Sequence, residues 1–436
     1  MTANGQAGKG VRPVAVDLFA GAGGMSLGFE RAGFDVGCAV EFDPIHCATH
    51  EFNFPMSTVI CSDVNEVTGA DIRARSGLKD RDIDVVFGGP PCQGFSLIGK
   101  RALDDPRNSL VGEFVRIALE LRPKYAVMEN VSGLTVGSHR QILQEVVDAF
   151  QSGGYRTATP YRVLDATDFG VPQRRRRLFL LAWREGQMPI SYPEATSRPL
   201  ESSGASPLPS TPNVWDALGD LPEAEDYPDL LAVDTTRVSY GAPSDYAARL
   251  RGLAPDPEDF SYPREYDNTV MTSARRTTHT GESRRRFAVT KGGETEPISR
   301  FRKLPLDGYC NTLRAGTHSN KGAFTSPRPI HPTTPRCITV REAARLHSYP
   351  DWFRFHVTKW HGFRQVGNSV PPLLAQAVAR EIVRALGHEP TCPSRRIQMG
   401  DPALLGLSPV AAANRMGVDP AIMGRRTRNS IGMGAS

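Results

Sequence analysis

From Val11 to about Trp183, apolar runs of β-forming residues alternate with helix-like stretches, and no other feature restricts the possible fold as strongly. The strand candidates are Val14–Phe19, Val36–Glu41, Ile83–Phe87, Tyr125–Met128 and Leu178–Trp183. Between them lie helix-like segments near Met25–Ala32, Ile45–Phe52, Asn108–Leu121 and Arg140–Phe150. The alternation predicts an α/β fold, a mostly parallel sheet covered by helices. With 436 residues, the chain can bury a large core and divide into two or more domains. It has no run of 18 apolar residues, and Met1 to Gly10 lacks the apolar core of a signal peptide. The seven cysteines form no CxxC pair, so neither a zinc site nor a disulfide framework is expected, and a reducing cytoplasmic setting fits. A net charge of +5 permits a nucleic-acid partner without demanding one.

Beyond the alternating region, prolines, serines and acids dominate from about Met188 to Pro228, as in a linker or irregular excursion. Between Met271 and Lys303 there are nine Lys and Arg against three Asp and Glu. Regular structure is expected to resume near Ile338, with a helix from about Arg341 and another from about Pro372 to Leu386.

The strand ends carry the chemistry. The first runs into Asp17-Leu18-Phe19-Ala20-Gly21-Ala22-Gly23-Gly24, a strand, glycine turn and helix without the GxGxxG spacing for a pyrophosphate. The glycines suit a nucleoside-bearing ligand that lacks a phosphate chain. Glu41-Phe42-Asp43 could grip ribose hydroxyls and lie against a purine, and Asp63, in Cys61-Ser62-Asp63-Val64, could take an amino group. Singly, each acid also fits a turn or helix cap. In order at the ends of successive strands, the three favour a ligand cleft. Gly89-Pro90-Pro91-Cys92-Gln93-Gly94-Phe95-Ser96 presents one cysteine on a stiffened loop, although a bare PPC tripeptide also fits a tight turn. Glu129-Asn130-Val131 ends the fourth strand and neighbours that loop if strands three and four pair. Asp168-Phe169-Gly170-Val171-Pro172-Gln173-Arg174-Arg175-Arg176-Arg177 sets four arginines before an apolar strand. Arg364-Gln365-Val366-Gly367-Asn368-Ser369-Val370-Pro371-Pro372 starts the last helix.

In that order, and with Thr339-Val340-Arg341-Glu342-Ala343-Ala344-Arg345-Leu346-His347-Ser348-Tyr349-Pro350, these stretches closely resemble the DNA (cytosine-5)-methyltransferase family, over about Val14 to Leu386. The resemblance implies a Rossmann-like S-adenosylmethionine-dependent domain at 11–187, completed by 362–388, and a smaller, irregular target recognition domain with its return segment at 188–361. Residues 389–436 fall outside it. There Ser408–Ala413 hints at a helix-turn-helix-like piece, but a loosely ordered basic extension is the expectation adopted.

Carried over position by position, the resemblance makes Cys92 the nucleophile and Glu129 the acid at cytosine N3. Arg175 and Arg177 line the base pocket. Cofactor contacts fall on Phe19, Ala20, Gly21, Gly23, Glu41, Phe42, Asp63, Val64, Pro91, Leu110, Asn368 and Ser369. DNA contacts fall on Gln93 and Ser96, on Arg284, Arg285 and Arg286 as phosphate ligands, and on Arg314 as a reader of guanine. Double-stranded DNA is the implied partner, with a monomer expected and a separate restriction endonuclease left open. No metal or membrane is implied.

The chemistry also follows from the residues. Cytosine C5 is a poor nucleophile until a thiolate adds at C6, and a free thiol is only a few per cent ionised at neutral pH, so nearby positive charge must help. Three alternative classes remain. An RNA methyltransferase would share the motifs, but the long 188–335 insertion and its basic block favour duplex DNA. A catalytically dead relative would lack Cys92 or Glu129. A nicotinamide or flavin oxidoreductase would want a phosphate-binding glycine turn.

Overall fold

The computed structural model describes residues 11–91, 109–135, 139–202, 204, 206–316 and 328–421. Eight strands form one sheet among them: β1 (Val14–Leu18), β2 (Asp35–Glu41), β3 (Thr58–Cys61), β4 (Val85–Gly88), β5 (Tyr125–Val131), β6 (Tyr155–Thr157), β7 (Arg162–Asp165) and β8 (Arg176–Arg184). Their order is β3-β2-β1-β4-β5-β8-β6, with β7 also on β8. Strands β1 to β5 pair in parallel, and β8 runs antiparallel to its neighbours.

Period-two side-chain alternation divides the core. Val14, Val16 and Leu18 of β1 and Val86 of β4 face one layer; Ala15, Val85 and Phe87 face the other. The first layer is covered by α3 (Gly69–Ser76), α4 (Ser109–Leu121) and α5 (His139–Ser152). The second is covered by α1 (Gly24–Arg31) and, from far along the chain, α11 (Pro372–Ala385). A Cβ on Gly28 would lie 2.4 Å from the Ala375 Cβ, so only glycine lets α1 and α11 approach this closely. The chain moves outward from β1 through β2 to β3, then crosses back to β4 on the other side of β1. That reversal opens a crevice at the carboxyl ends of β1 and β4, where the glycine turn and the Pro90-Pro91 loop emerge together.

The Met188–Pro228 stretch is irregular but no linker. Ile190 and Tyr192 are buried in the second layer, and the Tyr192 hydroxyl donates to the Phe179 carbonyl at 2.8 Å. The excursion carries α6 (Val214–Leu218), α7 (Asp245–Leu250) and α8 (Gly281–Val289), then returns through α9 (Val340–Leu346) and α10 (Lys359–Asn368). Buried α9 shows why its motif reads so clearly. Thr339 and Glu342 form a capping box, Arg345 pairs with Asp220 and Asp351, and Glu342 pairs with Arg336. Arg364 to Asn368 end a helix rather than start one; α11 begins only after Ser369-Val370-Pro371.

The tail also departs from expectation up to Ala421. Ile397–Gln398 pairs in parallel with Arg264–Glu265, and Leu404 and Leu405 pack on Ala48 and Phe52 of α2 (Pro44–Asn53). Helix α12 (Pro409–Met416) has Ser408 as N-cap, Pro409 in its first turn and left-handed Gly417 as C-cap, a strong local start and stop that also buries Ala412 and Ala413. Residues 422–436 lie outside the described residues. No described helix is long and apolar enough to cross a membrane.

Candidate active site

On the β1 side of the crevice the backbone turns left-handed at Phe19 (φ 63), Gly21 (φ 56) and Gly23 (φ 100). Phe19 adopts this conformation without being glycine, a strain that concentrates at functional sites. The Glu41 carboxylate ties two loops together, accepting from Gly21 N and from Asp43 N, each at 2.8 Å. A Cβ on Gly21 would meet nothing within 4 Å, which leaves this side of the turn open. By contrast, a Cβ on Gly24 would sit 2.6 Å from the Tyr349 hydroxyl and 2.7 Å from the Val370 carbonyl oxygen. The Asn368-Ser369 turn is thereby brought beside the glycine turn, with Asn368 exposed and Ser369 half-buried. Asp63 accepts from Asn65 through Oδ1 and caps the turn from Val64 to Glu66. Phe42 is half-buried between these acids. Asp17 is buried, accepts from the Ser26 hydroxyl at 2.6 Å and anchors the start of α1 instead of facing the crevice.

Leu110 is buried at the start of α4, and Pro91 is half-buried on the β4 side. Cys92, Gln93 and Ser96 lie outside the described residues. The loop that leads to them is anchored on β5: the Asn130 amide donates to the Pro90 carbonyl at 3.1 Å, and a Cβ on Gly89 would lie 2.7 Å from Glu129 Oε2. Glu129 pairs with Arg177 Nε at 2.8 Å across β5 and β8. Burial pushes the Glu129 carboxyl above its ordinary range against the opposing pull of Arg177 and Arg175, so it keeps a proton more readily than a free glutamate.

Arg175 corrects the sequence expectation. It is 1% exposed, and its two terminal nitrogens donate to the Leu313 carbonyl at 2.8 Å and the Gly367 carbonyl at 2.9 Å. The guanidinium thereby braces two loops, satisfying a backbone carbonyl on each. Arg284 pairs with Glu225, and Arg286 with Glu282 and Glu296. Each brings an acid that opposes a phosphate, whereas Arg285 and Arg314 are exposed. Two buried residues gave no such signal in sequence. Gln173 and His347 connect the recognition segment to the Ser369 turn. Their motifs were visible, but not their link.

Together, a crevice with two acids at adjacent strand ends abuts a carboxyl held by an arginine beside the Gly89-Pro90-Pro91 segment that leads to Cys92. This suits group transfer between a nucleoside cofactor and a polar heterocycle. Among the described residues, no group of acids, histidines and cysteines could hold a metal ion.

Comparison with known proteins agrees. The family model for C-5 cytosine-specific DNA methylase matches residues 14–384. The chain is 58% identical over 417 residues to the Type II methyltransferase M.XorII of Xanthomonas oryzae pv. oryzae, covering 96% of this chain and 95% of that one. It is 33% identical to the Type II methyltransferase M1.HphI of Haemophilus parahaemolyticus, covering 85% and 86%. A crystal structure of a candidate DNA modification methyltransferase encoded within a prophage (E. coli) superposes with a TM-score of 0.69 at 34% identity, over 86% of this chain and 100% of that one. The Spodoptera frugiperda DNMT2 structure shares the fold, with a TM-score of 0.51 at 15% identity over 85% of this chain and 99% of that one. The strand order, the crevice and these matches lead to one conclusion: the chain belongs to the C-5 cytosine-specific DNA methylase family, enzymes that methylate C5 of cytosine in DNA and generally use S-adenosylmethionine.

Proposed function

We propose that the chain is the modification enzyme of a Type II restriction-modification system, methylating a flipped-out cytosine within one specific duplex sequence. The carrying observation is the Glu129–Arg177 pair pressed against Gly89, at the crevice that the glycine turn shares. A base inside a duplex cannot reach such a crevice and must leave the stack, at a cost of about a few kcal/mol.

The residues divide the work as follows. Cys92 adds as thiolate to C6. Protonated Glu129 donates to N3 and relieves the charge pushed into the ring, while Arg177 holds the carboxyl in place. C5 then becomes nucleophilic. S-adenosylmethionine bound in the cleft supplies an activated methyl group. Glu41 would hold its ribose and Asp63 its amino group, with Phe42 against the purine. Phe19, Ala20, Gly21, Gly23, Val64, Pro91, Leu110, Asn368 and Ser369 would complete the wall. A base, a role that water can fill, takes the C5 proton; that electron pair re-forms the C5–C6 double bond and expels Cys92 as thiolate, and N3 returns its proton to Glu129. The open face at Gly21 and the two acids at adjacent strand ends support that fit. Bisulfite sequencing of DNA from a methylation-deficient host expressing the chain should find 5-methylcytosine at one recurring sequence. Unmodified DNA, with methyl transfer to RNA instead, would overturn the reading.

Residues 188–361 are assigned to site choice. Arg314 is exposed beside the brace at Gly367 and is the residue that would reach guanine O6 and N7; Arg285 would contact phosphate. Arg314→Ala should reduce discrimination at one base pair by about 10- to 100-fold, the range of a bidentate guanine contact. Methylation mapping across single-base variants of the site checks this. Unchanged site choice would make Arg314 structural.

A further inference from the structure

Two hydrogen-bonded bridges run from the recognition segment to the turn beside the cofactor cleft, and the chemistry above uses neither. A single parallel β-bridge joins Cys310 to Gln173: Cys310 N donates to the Pro172 carbonyl at 3.0 Å and Arg174 N to the Cys310 carbonyl at 2.9 Å, while the Thr312 hydroxyl donates to the Arg174 carbonyl at 2.7 Å. Leu313 N then donates to Gln173 Oε1 at 3.0 Å. That contact fixes the orientation of the amide, so Gln173 Nε2 donates to His347 Nδ1 at 2.9 Å. With Nδ1 accepting, the ring proton sits on Nε2 and is donated to the Ser369 carbonyl at 3.1 Å. Burial keeps this imidazole neutral, which suits a ring that must accept on one side and donate on the other.

The second bridge is Arg175, which joins the Leu313 carbonyl to the Gly367 carbonyl. Both backbone groups of Leu313 are therefore held. There is no slack between the two loops, because a Cβ on Gly367 would lie 2.3 Å from the carbonyl carbon of Arg314. All three bridging side chains are at most 1% exposed. Arg175 also stands two residues before Arg177, the partner of Glu129. An apolar filler could hold the loops together without so many buried polar groups, each of which is costly when unpaired. What the polar bridges add is directional dependence: a shift at Leu313 must move the 367–369 turn or break a buried hydrogen bond.

We propose that Gln173, His347 and Arg175 are positioning residues that make correct seating of the recognition segment a condition for the geometry of the 367–369 turn and the Arg177–Glu129 pair. A wrong sequence is then penalised in the chemical step and not in binding alone. The proposal rests on the function assigned above.

The test uses the full chain, the duplex site mapped from host DNA, and the same duplex with one base pair changed. Single-turnover methylation rates and duplex Kd are measured for wild type, Gln173→Leu, His347→Phe and Arg175→Lys. The wild type should discriminate in rate as well as in Kd. Each variant should hold its duplex Kd within about threefold and narrow the rate discrimination by about tenfold, by slowing the mapped site far more than the altered one. His347→Gln, which keeps both a donor and an acceptor, should recover most of it. Equal slowing on both duplexes, or losses confined to Kd, would overturn the proposal. If a variant fails to fold by thermal melting, Gln173→Glu replaces it, because it keeps the acceptor for Leu313 N and loses the amide donor. A wild type that methylates no duplex would instead overturn the underlying function.

Discussion

Replacing Cys92 with serine is expected to abolish methyl transfer, by about 10³-fold or more, while leaving cofactor affinity nearly unchanged. A serine hydroxyl is almost wholly un-ionised at neutral pH and is a far weaker nucleophile toward C6 than a thiolate. Cofactor binding should be spared because the proposed ribose and amino-group contacts, Glu41 and Asp63, stand at the ends of β2 and β3, and the thiol acts on the base and not on the methyl donor. Calorimetric cofactor affinity and radiolabelled methyl transfer, measured on the same preparation, separate the two effects. Turnover near that of the wild type would remove Cys92 from the mechanism.

Glu129→Gln is expected to slow the chemical step by about 10²–10⁴-fold, the usual worth of a positioned general acid. The amide keeps the side-chain size and can still meet Arg177 through its carbonyl, but it has no acidic proton for N3. The pH profile gives a second signature. Burial raises the Glu129 carboxyl above its ordinary range, so the donating form persists to higher pH than in a free glutamate. Wild-type activity should fall on the alkaline side as that proton is lost, and the variant should lack this limb. A loss under tenfold, or an unchanged profile, would leave Glu129 as a structural residue at a strand end.

The parts of this site that were legible in sequence are those in which chain neighbours do the work. Val14–Leu18 and the glycines after it sit within one strand and one turn, so apolar runs and turn residues reveal them. Short elements were hidden: β3 has four residues and β6 three, and α3 (GADIRARS) buries only Gly69 and Ile72, too little for a period to show. Arg175 was misplaced for a different reason. Its partners lie 138 and 192 residues away, so the stretch Arg174–Arg177 looks like one charged run although its members point to solvent, to carbonyls and to a glutamate. Gln173 and His347 are separated by 174 residues, and no local pattern distinguishes their buried contact from a loop glutamine and a helix-end histidine. The tail did carry a local signal in Ser408-Pro409 and Gly417, but its apolar face matters only because α2 lies beneath it.

The central claim is that a thiol of this chain becomes covalently attached to a cytosine during methylation. The direct measurement incubates the protein with S-adenosylmethionine and a duplex bearing 5-fluorocytosine at the target position, followed by denaturing electrophoresis and peptide mapping. Fluorine at C5 cannot be removed as a proton is, so the adduct should persist, survive denaturation, and map to the peptide containing Cys92. A product that is methylated without any trapped complex, or an adduct mapped to another residue, would contradict the account.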